Sequence, residues 1–302
     1  MSGLLWGLDL GGTKIEGALL DVEHPQAAVH RLRRETHASR GYEFILSQIV
    51  GVVRDLEYAS GIACPGVIGI GTPGAVEPSN GALKNSNTTC LNGQPLREDL
   101  SRLLSREIRM ANDANCFALA EATLGAAAGE SVVMGLILGT GVGGGIVVDR
   151  QILNGLHGIA GEWGHNPLMG ETHPCYCGRK GCIETVLSGP ALERFHRESG
   201  GGPLRMPDIV LAASLGEKPA VATLERLREK FGEAIAAVIN ILDPGAIVIG
   251  GGVGNIDLLY SEETRRAIGR FLFNPTLATR ILRPQLGDSA GVFGAAMLTK
   301  CP

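Results

Sequence analysis

The chain has 302 residues, a formal net charge of -4 and a pI near 6.0. That length accommodates two domains with a buried core in each. The mild acidity excludes the broad basic field that nucleic acid or an anionic membrane would attract, so small molecules are the expected partners.

The opening "MSGLLWGLDLGG" has no charged segment followed by an apolar one, and it passes directly into a strand and a turn; a cytoplasmic location is expected. "LLWGLDL", "KIEGALLDV" and "AVHRLRRE" read as three successive strands whose short connections make them antiparallel. Residues 41–59 carry apolar positions at helical spacing, and "GVIGIGTPG" is a short buried strand ending in a turn. "RMANDANCFALAEATLGAA" is a strand end running into a helix. The uncharged run 132–148 approaches membrane-spanning length, but six of its residues are glycine, so two strands around a turn are expected. They begin a second three-strand opening like the first.

From Leu224 onward, Leu227, Phe231, Ile235, Val238 and Leu242 form one face of a long helix that Pro244 ends. "AIVIGGG" is a buried strand feeding a glycine turn and a further helix, and "AGVFGAAMLTK" is a closing helix. The expected fold class is α/β with two lobes. The first lobe comprises residues 1–112 with the terminal helix 289–302 packed back on it, and the second comprises 113–288.

Three glycine turns carry chemistry. In "DLGGTKIE", Gly11 and Gly12 let backbone N–H groups approach phosphate oxygens, Thr13 adds a hydroxyl, Lys14 adds charge, and Asp9 is placed to hold a hydrated Mg²⁺. A plain hairpin turn is the structural alternative. "LGTGVGGGI" repeats the pattern with Thr140 and Gly141. "IGGGVGN" has the outline of a dinucleotide turn, but no acidic residue stands at the expected distance, and contact with the flat face of an adenine is the better use of it. In "NDANC", Asn112 or Asp113 suits a helix N-cap; a carboxylate there also suits a base that accepts a hydroxyl proton.

"DLGGTK", "NDANC", "LGTGVGGG", "AGEWGHNPL", "CYCGRKGCIE" and "IGGG", in this order along nearly the whole chain, resemble the ROK family of bacterial sugar kinases and repressors. The resemblance implies a two-lobed, actin-like ATPase fold of the ribonuclease H-like type, with ATP and a hexose meeting in the cleft between the lobes. It makes Asp113 the catalytic base. Asn112, Glu162, His165 and Glu184 become sugar ligands; an arbitrary Glu would otherwise be a solvated surface carboxylate. Asp9, Gly11, Gly12, Thr13, Lys14, Thr140 and Gly141 match the phosphate motifs, and Gly251 and Gly252 the adenosine motif. A homodimer is the expected assembly.

Cys175, Cys177 and Cys182 supply three thiolates in a tight turn, one short of a structural Zn²⁺ site. His157, His165 and His173 are near in sequence, and the family pattern selects His165. A disulfide would leave one of the three thiols over and suits a secreted protein. Cys64, Cys90, Cys116 and Cys301 have no repeated spacing and read as free thiols.

ROK repressors carry a DNA-binding domain before the first phosphate motif, whereas here Asp9 stands near the start and no basic patch accompanies it. A sugar-independent ATPase would keep the phosphate turns without needing a hexose pocket. Within the kinases, "KNSNTTCLNGQPL" and "GEWGHNPL" look most like the fructokinase and mannokinase branch, while "MGLILGTGVGGG" is also similar to N-acetylglucosamine kinases. Asn85, Asn87 and Asn92 offer amides for hydroxyls, with turn chemistry as their alternative. Phosphorylation of the 6-hydroxyl of fructose is the expectation, with mannose and glucose weaker and N-acetylglucosamine kinase or glucokinase the alternatives.

Overall fold

In the computed structural model, residues 3–21, 23, 24 and 27–300 are described; Cys301 and the end of the terminal segment lie outside them. The strands in chain order are β1 (Leu4–Leu10), β2 (Lys14–Asp21), β3 (Ala28–Glu35), β4 (Val67–Thr72), β5 (Ala75–Val76), β6 (Leu83–Lys84), β7 (Glu107–Asn112), β8 (Val132–Leu138), β9 (Val142–Val148), β10 (Gln151–Ile152), β11 (Ala246–Gly250) and β12 (Arg280–Leu282). The helices are α1 (Tyr42–Ser60), α2 (Leu96–Leu104), α3 (Asp113–Thr123), α4 (Glu184–Leu187), α5 (Gly189–Glu198), α6 (Met206–Ser214), α7 (Lys218–Leu242), α8 (Glu262–Gly269) and α9 (Ala290–Met297).

Two five-stranded sheets share one plan, β3-β2-β1-β4-β7 and β10-β9-β8-β11-β12. In the first, β1 pairs antiparallel with β2, and β2 with β3, while β4 runs parallel to both β1 and β7. In the second, β11 runs parallel to β8 and β12, and β9 and β10 are antiparallel. The strand meander expected at the start is thus present, and its repeat opens the second sheet.

The chain divides into two compact units: Met1–Gly129 with Gly145–Ala160 and Gln285–Pro302, and Glu130–Gly144 with Gly161–Pro284. The first unit thus continues past residue 112 through α3, and it regains the chain at Gln285. The cause is direct packing of α9 on β1, β4 and α3. A Cβ at Gly69 would lie 1.7 Å from the Ala295 carbonyl oxygen, and one at Gly294 1.8 Å from that of Cys116. These backbones touch where only a hydrogen fits.

Leu8, Leu10, Ile15 and Leu19 from β1 and β2 and Ile45, Ile49 and Leu56 from α1 build the core of the first unit. Trp6 joins them fully buried. In the second unit, Leu136, Leu138, Ile247 and Ile249 meet Leu227, Phe231 and Ile235 of α7. Those are the positions whose spacing predicted the helix; burying each such side chain contributes on the order of 1.5–3 kcal/mol. Asp243, with left-handed φ of 47°, ends α7 just before Pro244. Among the described residues, no helix is long and apolar enough to cross a membrane.

Candidate functional site

In the first unit the expected residues gather at the carboxyl ends of parallel strands. Asp9 is paired with Gly71 across β1 and β4, and Thr72 with Asn112 across β4 and β7. Glycines leave room around the Asp9 carboxylate: a Cβ at Gly291 would lie 3.0 Å from its Oδ2, and one at Gly71 3.3 Å from its Oδ1. Burial pushes Asp9 up from 3.8 to about 6, helped by the charges of Asp113 and Glu16 and opposed by Lys14.

The turn after β1 is closed by Gly11 N–H donating to the Lys14 carbonyl at 2.8 Å, and the Thr36 hydroxyl holds the Gly11 carbonyl at 2.6 Å. Gly12, Thr13 and Lys14 are exposed. The Lys14 ammonium stands 3.6 Å from Glu16, a buried carboxylate that Arg31 and Arg33 also pair.

Asn112 and Asp113 divide their work. Asn112 is the N-cap of α3, its Oδ1 accepting from Ala114 N–H at 2.8 Å while its Nδ2 donates to the Gly74 carbonyl at 3.2 Å. Asp113, the first helical residue, accepts from the same Ala114 N–H through Oδ1 at 2.8 Å. Its pKa is raised because the surrounding protein desolvates it, against the lowering effect of bonds from Ala114 and Asn112, although the residue keeps a face open to solvent. A carboxyl raised from its ordinary range is a better proton acceptor when ionised.

The second unit repeats the placement at the ends of β8 and β11. Gly139 N–H donates to the Gly141 carbonyl at 2.9 Å, which leaves Thr140 exposed at the turn tip. Glu184, at the start of α4, accepts from Val142 N–H at 2.9 Å. Gly251 has φ of +86°, and a Cβ on it would lie 2.3 Å from the Leu138 carbonyl, whereas Gly252 has open space around it. Glycine is required at the first position and tolerated at the second.

His165, Cys175, Cys177 and Cys182 also converge in the second unit, with their four ligand atoms within 4.8 Å of one another. His165 Nδ1 is 3.6 Å from Cys175 Sγ, and the Cys177 and Cys182 sulfurs are 3.6 Å apart. A tetrahedral zinc with the usual bond lengths needs edges of about 3.6–3.8 Å, which these two pairs match, and three sulfurs with one imidazole are a donor set that suits the ion. All three cysteines are free thiols, as are Cys64, Cys90 and Cys116. His173 lies outside the cluster, and His157 belongs to the other unit, where its carbonyl accepts from Lys84. Glu162 is half-buried just before the short turn that holds His165.

Two residues near these groups had no expectation attached. Glu16 partners Lys14. Tyr176, between the first two cysteines, places its hydroxyl 3.1 Å from His165 Nε2. Its place inside the CxC spacing was the available signal.

The asparagine segment is different from its expectation. Asn85 takes left-handed φ of 58°. Asn92 spends its amide on its own loop, accepting from Ser86 N–H at 2.8 Å and donating to the Ser86 carbonyl at 3.0 Å. Asn87 is exposed. Turn chemistry accounts for two of the three asparagines.

The sequence profile of the ROK family matches residues 5–301. The chain is similar to N-acetyl-D-glucosamine kinases of Photobacterium profundum, 36% identical with 98% of this chain and 99% of that protein covered, and of Yersinia pseudotuberculosis, 38% identical with 98% of both covered. Among solved structures it is similar to a ROK hexokinase from Thermus thermophilus, at TM-score 0.87 and 32% identity over 98% of this chain and 97% of that one. It is also similar to a ROK family glucokinase from Streptomyces griseus crystallised with glucose and AMPPNP, at TM-score 0.78 and 28% identity over 98% and 99%. The paired mixed sheets are therefore those of the actin-like ATPase fold. With the motifs in order, the sheets in common and the profile matched nearly end to end, the chain belongs to the ROK family.

Proposed function

We propose that this protein is an ATP-dependent hexose kinase that phosphorylates the 6-hydroxyl of N-acetylglucosamine. The carrying observation is the pair of carboxylates in the first unit: Asp113 at the start of α3, with its raised pKa, and Asp9 at the end of β1, near enough to feel its charge. In this reading Asp113 takes the proton of the sugar hydroxyl as its oxygen attacks the γ-phosphorus, and ADP leaves with the electrons of the broken P–O bond. Gly11, Gly12, Thr13 and Lys14, with Thr140 and Gly141, serve the phosphates, and Gly251 and Gly252 serve the adenosine. Mg²⁺ held through Asp9 supplies neutralisation of phosphate charge.

Asn112, Glu162, His165 and Glu184 are assigned to the sugar. His165 and the three cysteines are assigned to a structural Zn²⁺, supported by the convergence of their four ligand atoms within 4.8 Å of one another. The metal would order the loop that carries two sugar residues without touching the phosphates.

The choice of sugar departs from fructose for two reasons. Of the asparagines that favoured a plain hexose lining, Asn85 sits in a left-handed turn and Asn92 bonds its own loop, which leaves Asn87 as the candidate for a sugar hydroxyl. The similar full-length proteins are named N-acetyl-D-glucosamine kinases. A coupled assay comparing kcat/KM for N-acetylglucosamine, glucose, mannose and fructose tests the assignment. A preference for fructose would restore the fructokinase expectation, and ATP turnover indifferent to every sugar would overturn the kinase reading.

A further inference from the structure

His165 has two ring nitrogens, and the structure gives each a different neighbour. Nδ1 faces the cysteine cluster, 3.6 Å from Cys175 Sγ. Nε2 meets the Tyr176 hydroxyl at 3.1 Å, with the two rings edge to face, their centroids 5.3 Å apart and their planes at 87°. A neutral imidazole carries one hydrogen and one free lone pair, and a metal ligand must offer the lone pair to the ion. If Nδ1 faces the ion, the hydrogen belongs on Nε2, where the phenolic oxygen is in place to accept it.

The backbone of His165 is fixed separately. Its carbonyl accepts from Arg179 at 3.4 Å, and Ile183 N–H donates to the carbonyl of the next residue, Asn166, at 2.9 Å. These bonds place the main chain and leave rotation of the ring undetermined. Among the described residues, Tyr176 is the side chain whose hydrogen bond reaches the ring from the side away from the cysteines. Its own backbone sits between two ligands, Cys175 and Cys177, so the turn that brings the thiolates together also delivers the phenol.

We propose that Tyr176 is a positioning residue for the metal: its hydroxyl accepts the Nε2 hydrogen of His165, which selects the tautomer with a free Nδ1 lone pair and holds the ring aimed at the thiolates. This rests on the zinc reading above. Partners of this kind on a ligating histidine commonly contribute 10–100-fold to metal affinity. With Nδ1 on the metal and the Nε2 hydrogen on Tyr176, a sugar hydroxyl that binds His165 would have to take the place of the Tyr176 oxygen at Nε2.

The test measures zinc affinity by competition with a chromophoric chelator in the wild type, Tyr176→Phe and Tyr176→Leu, with thermal unfolding of each as the control for folding. Tyr176 is 81% exposed, so Phe keeps the edge-to-face ring and removes only the oxygen. Expected are a 10–100-fold weaker zinc affinity in Tyr176→Phe, an equal or greater loss in Tyr176→Leu, and nitrogen chemical shifts of His165 that report an Nε2 hydrogen in the zinc-loaded wild type. Affinity of Tyr176→Phe within twofold of wild type, with loss confined to Tyr176→Leu, would show ring packing rather than the hydrogen bond and overturn the proposal. A wild type that binds no zinc would remove the metal reading and this inference together, whereas a zinc-binding wild type with an unaffected Tyr176→Phe removes the inference alone.

Discussion

Replacing Asp9 with asparagine measures what the fold gives up to keep a carboxylate at the end of β1. Burial first, and then Asp113 and Glu16, raise Asp9 from 3.8 to about 6. The folded protein therefore retains this proton up to about pH 6, while the unfolded chain releases it near 3.8. Between those values the folded state binds more protons, so stability falls as pH rises, and the penalty is complete once pH exceeds the folded value. At about 1.4 kcal/mol per unit, a rise of this size corresponds to about 3 kcal/mol at pH 8. The asparagine amide has nearly the same shape as the carboxylate and no charge, so the Asp9→Asn variant escapes the penalty. Urea unfolding of both proteins from pH 4 to pH 8 should show the variant gaining on the wild type through pH 4–6 and holding a plateau of up to about 3 kcal/mol above pH 7. Magnesium with ATP should narrow the gap by stabilising the ionised wild-type carboxylate, and phosphoryl transfer by the variant should be lost. A stability difference that does not change with pH, or a variant less stable than wild type at pH 8, would refute the reasoning.

Asp113→Asn should retain sugar and ATP binding in calorimetry while kcat falls about 10²–10⁴-fold, because the amide cannot accept the proton; its thermal midpoint at neutral pH should not fall, since the cap belongs to Asn112 and the variant removes a carboxylate whose pKa folding raises. Gly251→Ala should lower the unfolding midpoint, because its Cβ meets the Leu138 carbonyl at 2.3 Å in a left-handed conformation, whereas Gly252→Ala has free space and should alter ATP affinity alone. Glu184→Gln should raise the KM for sugar at unchanged stability, because the amide oxygen still accepts from Val142 N–H; Glu184→Ala should lower stability as well, by about 1–3 kcal/mol for the orphaned donor.

What the sequence disclosed was decided by local physics. The face through Leu227, Phe231 and Ile235 repeats at helical spacing and sits in the core of the second unit. The strand meander shows in its short glycine connections. In the segment 184–214 the signal was uneven: α4 is a single turn and α6 is apolar almost throughout, whereas α5 is marked by its Ser188 cap and the proline in its first turn. The return of α9 to the first unit was expected, but the close approaches that carry it, Gly69 on Ala295 and Gly294 on Cys116 of α3, join residues too far apart in the chain for any window of sequence to show. Asn112 and Asp113 could not be ranked as caps because both residue types are preferred there; the extended backbone of Asn112, φ -62° and ψ 151°, decides it. For Asn85 and Asn92, composition alone could not separate a substrate-facing amide from one consumed by its own turn.

In the second unit, the cysteine loop assigned here to the sugar is joined by short connections to the hairpin assigned to phosphate. Cys182 ends the cysteine turn, and two residues later Glu184 opens α4 and binds Val142 N–H, the first residue after the Gly139–Gly141 turn. From there Ser188 caps α5 through Ala191 N–H, and Gly189 N–H donates to the Gly139 carbonyl at 2.8 Å. Any shift of the cysteine turn is thus passed to the hairpin over a span of seven residues, through two hydrogen bonds. Val142, Ile183, Val186 and Leu187 border those bonds and join the core around Phe231 and Leu138, but most of that core is drawn from α6, α7, β8 and β11. A perturbation at His165 or Tyr176 should therefore appear in substrate binding and in the hairpin before it appears in global stability, which is the order expected of a metal that organises a loop on a lobe already folded.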